Sequence, residues 1–594
     1  MGLADVLTDR TEKVKGGALV ARMLAAEGVR HVFGIVDGTY LGLCAALEPN
    51  GIALVTPRHE TSAAHSAGAY AKLTGKLGVC IASNGPGVAN VLPGVAVEHA
   101  EGHRVLLITS CRRTGIVYPD RGGAYQSFPH VEVTRPMTKW SMAVPSVDRL
   151  AEFVRKALRA CFEGRPGVVH LDIPESIING PIELPPDFVR EPSTYRPTAP
   201  IEASSAQVRA VADWLDEAQL PLLHAGCGVV HAGAFEELAA LAALLEAPVT
   251  TSWGARCAID ERDPHAISMI YVAQVNAART AADRVLVLGS RLGETDWWGK
   301  APYWGPIGVQ RFAQVDIDAE TLGTARPVDH AVRADVKSFL RALVAELRQR
   351  NSTRNVNARK EHLDKLRAGC AARRAELDKH LDDDSVPMHS AHVAKICQET
   401  FDADAIMVAD GGNTTIWAQF FHEVRSVNSL VGTPKMGMLG AGVAQPIGAQ
   451  IAFPNRTVYC IIGDGAMGFH PQEIETAVRN KLPIIYLVLC DRQWGMVKIN
   501  QSFALKPLKT LVFKSLSPEE TINTELGEIE FDVLARSMGA HGERVADPMG
   551  LRGAIRRAQA SKKTAVIHVD VNPVKHLWAP ELKTFKDMHQ EPGK

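Results

Sequence analysis

The chain carries almost no surplus charge: 65 Lys and Arg stand against 66 Asp and Glu, for a net charge of -1. A general nucleic-acid binder needs a basic stripe to displace counterions, so that class is excluded. The ten cysteines include no Cys-x-x-Cys pair. That leaves neither a zinc ribbon nor a disulfide framework, and it points to reduced thiols in a cytoplasmic protein. No run of about 18 uninterrupted apolar residues occurs, so no membrane-spanning helix and no membrane partner are expected. The opening MGLADVLTDRTEKVKGG lacks an apolar targeting core, and Val6 stands where a myristoylation signal needs Ser or Thr. No repeat with a period of about 20 to 50 residues is visible.

What is present is a globular balance, 46% hydrophobic and 22% charged over 594 residues, enough for about three domains with their own cores. Short apolar runs alternate with helical patterns. HVFGIV, IALVTP, LGVCIAS, RVLLITS and GVVHLDIP read as buried parallel strands, as do PLLHAG, PVTTSW, RVLVLGS and RFAQVDID further on. The last third adds AIMVAD, TVYCIIGD, PIIYLVLCD and AVIHVDV. This is the rhythm of an α/β chain with three doubly wound parallel-sheet domains, expected over residues 1–185, 203–345 and 389–571. The proline-rich PIELPPDFVREPSTYRPTAPIE reads as an extended linker. The charged run after Asp335 reads as a helical arm, with a connector over 346–388, and residues 572–594 form a tail or lid.

The chemistry concentrates in TVYCIIGDGAMGFHPQEIETAVRNKLPIIYLVLCDRQWG. It parses as strand, Gly-Asp-Gly turn, helix, strand and a second acidic turn. Asp464 and Asp491 fall at the carboxyl ends of successive strands, where open α/β sheets bind ligands. Strands about 5 Å apart let two carboxylates meet on one hard cation, and oxygen ligands suit Mg²⁺. Gly463 and Gly465 allow a diphosphate to approach backbone N–H groups. Gly-Asp-Gly is also a common turn, and only the paired strand ends lift it above that.

This segment resembles the signature of thiamine-diphosphate (ThDP) enzymes, Gly-Asp-Gly followed after about 25 to 30 residues by Asn-Asn. Cys490 and Asp491 stand in place of the two asparagines. The resemblance implies Mg²⁺ held by Asp464, Asp491 and the backbone carbonyl of Gln493, with Gly463, Gly465 and Ala466 beside the cofactor. TPRHETSAAHSAGAYAKLTGKLGVCIASNGPGVAN resembles the pyrimidine-binding domain of the same family. It implies that Glu60 protonates the aminopyrimidine of a cofactor whose diphosphate lies on a partner subunit, hence a homodimer at least, with a homotetramer expected. Without the resemblance Glu60 is a helix N-terminal carboxylate favoured by the dipole. Asn413 and Thr414 resemble diphosphate-binding positions. Leu439 resembles the bulky residue that bends the cofactor, against a plain reading as a core leucine.

Within that family the chain is most similar to acetolactate synthases, oxalyl-CoA decarboxylases and 2-hydroxyacyl-CoA lyases, and Gln126 aligns with their active-site glutamine. Ser290, Arg291, Asp316 and Ile317 resemble the central-domain nucleotide sites of this group. They leave ADP, FAD or ordinary strand ends open. CDRQWGMVK and the tail, with Trp578 and Phe585, resemble the 2-hydroxyisobutyryl-CoA lyase type. That implies cleavage of a 2-hydroxyacyl-CoA to a ketone or aldehyde plus formyl-CoA, with a general base at residue 493. Glutamine cannot accept that proton at neutral pH, so this chain uses another base or is a weakened form. The alternatives are an acetolactate-synthase-like carboligase on 2-oxo acids and a non-catalytic subunit of the same fold.

Overall fold

The computed structural model describes residues 12–117, 121–184, 188–350 and 355–582. The chain forms two compact units. The first comprises Met1–Ala199, Val443–Pro454 and His470–Leu482, and the second Pro200–Gly442, Asn455–Phe469 and Pro483–Lys594.

The first unit is built on a six-stranded parallel sheet in the order Ala53–Val55, His31–Gly34, Gly78–Ala82, Val105–Cys111, Val168–Pro174, Trp140–Ala143. The three strands Gly78–Ala82, Val105–Cys111 and Val168–Pro174 are buried at every residue, which is why they read as unbroken apolar runs rather than as an alternation. Val79, Ile81, Leu106, Ile108, Val169 and Leu171 point into one core with Leu19, Leu24, Phe153 and Leu158 from the helices Gly16–Ala26 and Leu150–Phe162. The helix Glu60–Thr74 is buried at every residue but the last. A helix enclosed on all sides has no polar face, and its Ala, Ser and Gly content lets neighbours come close.

The second unit contains two parallel sheets. One has five strands in the order Val249–Thr251, Pro221–Ala225, Arg284–Leu288, Arg311–Asp316, His330–Arg333. The other has six, in the order Leu430–Val431, Ile406–Asp410, Val458–Gly463, Ile485–Cys490, Ala565–Asp570, His541–Val545. One cluster of buried side chains runs from Leu223 and Val315 of the smaller sheet to Leu487 and Val569 of the larger. All three sheets are the doubly wound α/β type expected from the sequence. Among the described residues no helix is long and apolar enough to cross a membrane.

Two expectations change. Pro181–Leu184, expected as the start of a linker, pairs antiparallel with Glu12–Lys15 and buries Ile182 and Leu184. Its proline is the first residue of the strand, where no ladder donor is needed. The charged run after Asp335 opens with a helix, Val336–Arg350, that buries Phe339, Leu340, Leu343, Val344 and Leu347 in the main core. It is a domain helix with a charged outer face rather than an arm. The helix Val356–Asp378 follows.

Candidate functional site

Three neighbouring strands of the larger sheet end in acids: Ile406–Asp410 in Asp410, Val458–Gly463 just before Asp464, and Ile485–Cys490 just before Asp491. Sequence reading picked out the last two. Asp410 has a different task. Its Oδ2 accepts from Gly440 N and Gly442 N, both at 2.8 Å, and its Oδ1 from Gly411 N at 2.6 Å. It therefore fixes the turn that carries Leu439, which sits half-buried on that turn and not in a core. The signal for Asp410 was present in MVAD, an acid closing a buried strand like the other two.

Asp464 and Asp491 are 9% and 8% exposed. Asp464 accepts from Gly465 N and Arg492 N, each at 2.7 Å. Asp491 accepts from Gln493 Nε2 at 2.9 Å. Burial pushes both carboxyls up, and the Asp491 charge adds to the rise at Asp464. Two acids buried this deeply at neighbouring strand ends suit a positive charge between them. Beside them Asn413, 3% exposed, has a side-chain Oδ1 with no hydrogen-bond partner. The turns meet backbone to side chain: a Cβ on Gly463 would lie 3.0 Å from Thr414 Oγ1, on Gly465 2.7 Å from the Trp494 ring, and on Gly495 2.9 Å from Asn413 Nδ2. Ala466 is buried in the short helix Asp464–Met467 that follows.

These features fit Mg²⁺ with a diphosphate. The donors are oxygens, the buried acids suit a cation, and the helix Gly412–Phe421 starts at the corner with no side chain capping its N-terminus, where an anion is favoured. The Gln493 carbonyl accepts from Gly495 N at 2.9 Å, which leaves one lone pair for a metal.

The corner is bordered by the start of the segment expected as a tail or lid, in which sequence reading did not single out His576. Asn572 caps the helix Pro573–Leu577 by accepting from Val574 N and Lys575 N. His576, 3% exposed, pairs through Nδ1 with Ser390 Oγ at 2.7 Å and through Nε2 with Thr414 Oγ1 at 3.3 Å, while its carbonyl accepts from Trp417 Nε1 at 2.9 Å. Burial holds the His576 imidazole down at about 4 against the pull of Asp464, so it is neutral at pH 7. A single histidine in a polar tail gives no sequence signal, and neither do Ser390 and Trp417. Gln493, expected to face substrate, instead spends its amide on Asp491 Oδ2 and on Pro573 O at 2.7 Å. A short amide between two acceptors is satisfied best there. Phe585 and the rest of the tail from residue 583 lie outside the described residues.

In the first unit Glu60 begins its helix, 8% exposed, and its Oε2 accepts from Asn90 Nδ2 at 3.0 Å. Gln126 is exposed and adopts a left-handed backbone, φ 52°. In the smaller sheet of the second unit, Ser290, Arg291, Asp316 and Ile317 gather at the ends of two adjacent strands. Ser290 Oγ accepts from Leu292 N at 3.1 Å, and Asp316 Oδ1 from Asp318 N at 2.9 Å. Arg291 is exposed and Ile317 half-buried.

A cavity of about 490 Å³ lies beyond Asp464, lined by Trp494, Leu526, Phe531 and His568 among others. Near it the ligand atoms of Glu528, His568 and Asp570 lie within 4.8 Å of one another. The positive charge there is already supplied: Arg544 grips Asp570 at 2.7 and 2.9 Å and Glu528 at 2.6 Å. A second cation would meet a guanidinium.

Comparison with known proteins matches this arrangement. The sequence fits three family models in order: thiamine pyrophosphate enzyme, N-terminal TPP binding domain, over residues 14–133; central domain, over 208–343; and C-terminal TPP binding domain, over 410–569. The chain is 26% identical to a probable acetolactate synthase large subunit of Methanocaldococcus jannaschii, over 95% of this chain and 93% of that one. It is 27% identical to the acetolactate synthase isozyme 2 large subunit of Escherichia coli, over 95% and 97%. A third relative, the acetolactate synthase large subunit of Parasynechococcus marenigrum, is 28% identical over 94% and 88%. The chain belongs to the ThDP-dependent enzymes with this three-domain organisation, in the group of the acetolactate synthase large subunits.

Proposed function

We propose that the chain is a carbon–carbon lyase that cleaves a 2-hydroxyacyl-CoA to a ketone or aldehyde and formyl-CoA, using ThDP and Mg²⁺. The supporting observation is a surface suited to a long amphipathic anion. The helix Pro507–Phe513 leaves Leu508, Leu511, Val512 and Phe513 between 52% and 79% exposed, among the exposed Lys506 and Lys514, while Lys509 is paired with Glu520. Trp578 Nε1 donates to Lys514 O at 2.7 Å, which ties this surface to the segment that closes the metal corner. Apolar side chains and ammonium groups together meet the pantetheine and phosphates of a CoA thioester better than they meet a small 2-oxo acid.

In this reading Asp464, Asp491 and the Gln493 carbonyl hold Mg²⁺, while Asn413, Thr414, Gly463, Gly465 and Ala466 border the diphosphate. Glu60 holds a proton at the pyrimidine, and Leu439 supports the bend between the rings. When bound, ThDP supplies the carbon nucleophile that attacks the thioester carbonyl. Gln126 orients the acyl group by hydrogen bonds. Gln493 cannot take the 2-hydroxyl proton. Ser290, Arg291, Asp316 and Ile317 would border an adenine nucleotide, ADP or FAD, were the central domain to take one. The working assembly is a homodimer at least, in the cytoplasm.

A second reading, an acetolactate-synthase-like carboligase on 2-oxo acids with FAD in the central domain, is supported by the names of the relatives over nearly their whole length. The test incubates the protein with ThDP and Mg²⁺ in parallel with 2-hydroxyisobutyryl-CoA and with pyruvate. Acetone with formyl-CoA is the expected result. Acetolactate from pyruvate without thioester turnover would overturn the lyase.

A further inference from the structure

Gln126 sits on an exposed loop, a poor platform for a group that must hold a substrate oxygen to within a fraction of an ångström. What lies behind the loop is not exposed. Asn84, 2% exposed, donates from Nδ2 to Gln126 O at 3.0 Å, and its own N–H donates to Ser110 Oγ at 3.0 Å. The next residue, Gly85, has φ +64°, and a Cβ there would lie 2.7 Å from Gln126 O and 2.9 Å from its Cα. The two loops touch backbone to backbone, and only glycine allows it.

Gly85 is in turn held by a buried histidine. Its N–H donates to His130 Nε2 at 3.2 Å, and His130 is 3% exposed. Because Nε2 accepts, the ring proton sits on Nδ1, which faces Asp172 Oδ1 at 3.4 Å. Asp172, 4% exposed, is oriented by Thr109 Oγ1, which donates to the same oxygen at 2.6 Å. Phe128 packs edge-on against the His130 ring at 4.6 Å between centroids. The chain of contacts is therefore Thr109, Asp172, His130, Gly85, Gln126, running from a fully buried strand to the exposed loop.

We propose that His130 is a positioning residue for Gln126: Asp172 selects its Nδ1–H tautomer, and the lone pair left on Nε2 holds the Gly85 turn under the left-handed Gln126 backbone. The proposal rests on the reading that Gln126 contacts the reacting substrate. Its energetic logic is that one hydrogen bond to a backbone N–H, modest in its effect on stability, is applied where a small misplacement costs far more in rate.

The experiment compares Gln126→Ala, His130→Leu, His130→Gln and His130→Asn, each saturated with ThDP and Mg²⁺, on 2-hydroxyisobutyryl-CoA and on pyruvate, with thermal midpoints measured alongside. A glutamine in the histidine's place carries its amide oxygen near the Nε2 position, whereas asparagine reaches only as far as Nδ1. We expect His130→Leu and His130→Asn to lower kcat about tenfold or more, with KM within about twofold. His130→Gln should restore kcat to within about threefold of the parent. The Gln and Asn variants should melt within a few degrees of one another. Equal kcat in those two, or a parent-like kcat in His130→Leu, would overturn the proposal. Should His130→Leu not fold, the Gln and Asn pair decides alone. A parent-like Gln126→Ala would instead remove the reading of Gln126 on which the proposal stands.

Discussion

The second unit contains two parallel sheets of similar build whose strand ends differ in one respect. In the smaller sheet the polar groups at the ends are satisfied by their own neighbours: Leu292 N on Ser290 Oγ, Asp318 N on Asp316 Oδ1, Gln314 Nε2 on Ser290 O. In the larger sheet Asp464 and Asp491 are both raised by burial, and Asn413 Oδ1 has no partner. One set of ends satisfies these polar groups without a ligand, and the other is the corner proposed to take a cation and an anion. The same fold thus carries a ligand corner wherever strand-end acids outnumber their partners, and the comparison can be broken at either sheet.

The largest effect belongs to the deficient corner. Asp464→Asn relieves the burial of one carboxylate, but its Nδ2 then faces one of the two backbone N–H groups, Gly465 and Arg492, that Asp464 accepts from, so the two effects oppose and the cofactor-free midpoint should change little. Retention of ThDP with Mg²⁺ should fall by at least about a hundredfold, the upper figure for losing even an outer partner of a metal site. Thermal melts with and without cofactor, with ThDP released on denaturation as the second readout, check both. Undiminished ThDP retention would mean that Asp464 does not hold a cation.

Gln493→Glu sharpens the contrast at the same corner. In the cofactor-free protein it sets a carboxylate against Asp491 Oδ2 and Pro573 O, both of which now accept from the amide. The expected cost is about 1–3 kcal/mol, the penalty of opposing buried acceptors. In the proposed holoenzyme, Mg²⁺ on Asp491 would offset the repulsion, and the new carboxylate would then provide a base. A positioned general base contributes about 10²–10⁴-fold, so single-turnover cleavage of 2-hydroxyisobutyryl-CoA should be about tenfold faster or better. Equal or slower release of acetone would place the base elsewhere in the chain.

These two residues also show what the sequence makes legible. Interior strands such as VLLITSC and IYLVLC announce themselves because both faces are covered. Trp140–Ala143, His330–Arg333, Leu430–Val431 and His541–Val545 did not, because all are edge strands that are short or mixed in burial. Asp464 and Asp491 were readable because a strand end fixes where its acid goes. His576, Ser390 and Trp417 reach the corner from three separate elements, and no local pattern encodes that meeting. Gln493 was readable as a position and not as a set of bonds, since its partner Pro573 lies 80 residues away.

Two buried histidines, His224 on the strand Pro221–Ala225 and His422 just after the helix Gly412–Phe421, extend the contrast to acid. Burial and the charges of Arg256 and Arg425 hold His422 down at about 3. Burial also lowers His224, but Asp296 lies 3.4 Å from its Nε2 and pulls the other way. Between about 6.5, the unfolded value, and the lowered folded value, only the unfolded chain binds the proton. Stability is therefore lost as pH falls through about 6.5, at up to about 1.4 kcal/mol per pH unit for each such group. From pH 7 to pH 5 His422 should account for about 2 kcal/mol of the loss, and His224 for less. Urea midpoints of the parent, His422→Gln and His224→Gln at both pH values test this. The comparison fails if His224→Gln flattens the pH dependence more than His422→Gln does.

The smallest effect is at the self-satisfied ends. Ser290→Ala deletes the acceptor of Leu292 N–H, and Leu292 is 1% exposed with φ 50°, so little solvent can replace the lost bond. The cost should be about 1 kcal/mol, the ordinary price of one unpaired buried donor. The readout is what matters: removing a strand-end group should be felt in cofactor retention at Asp464 and in fold stability at Ser290. A denaturation midpoint that rises in Ser290→Ala would show that the smaller sheet also holds a group kept at a cost for a ligand, and ADP would then be the first molecule to titrate against it.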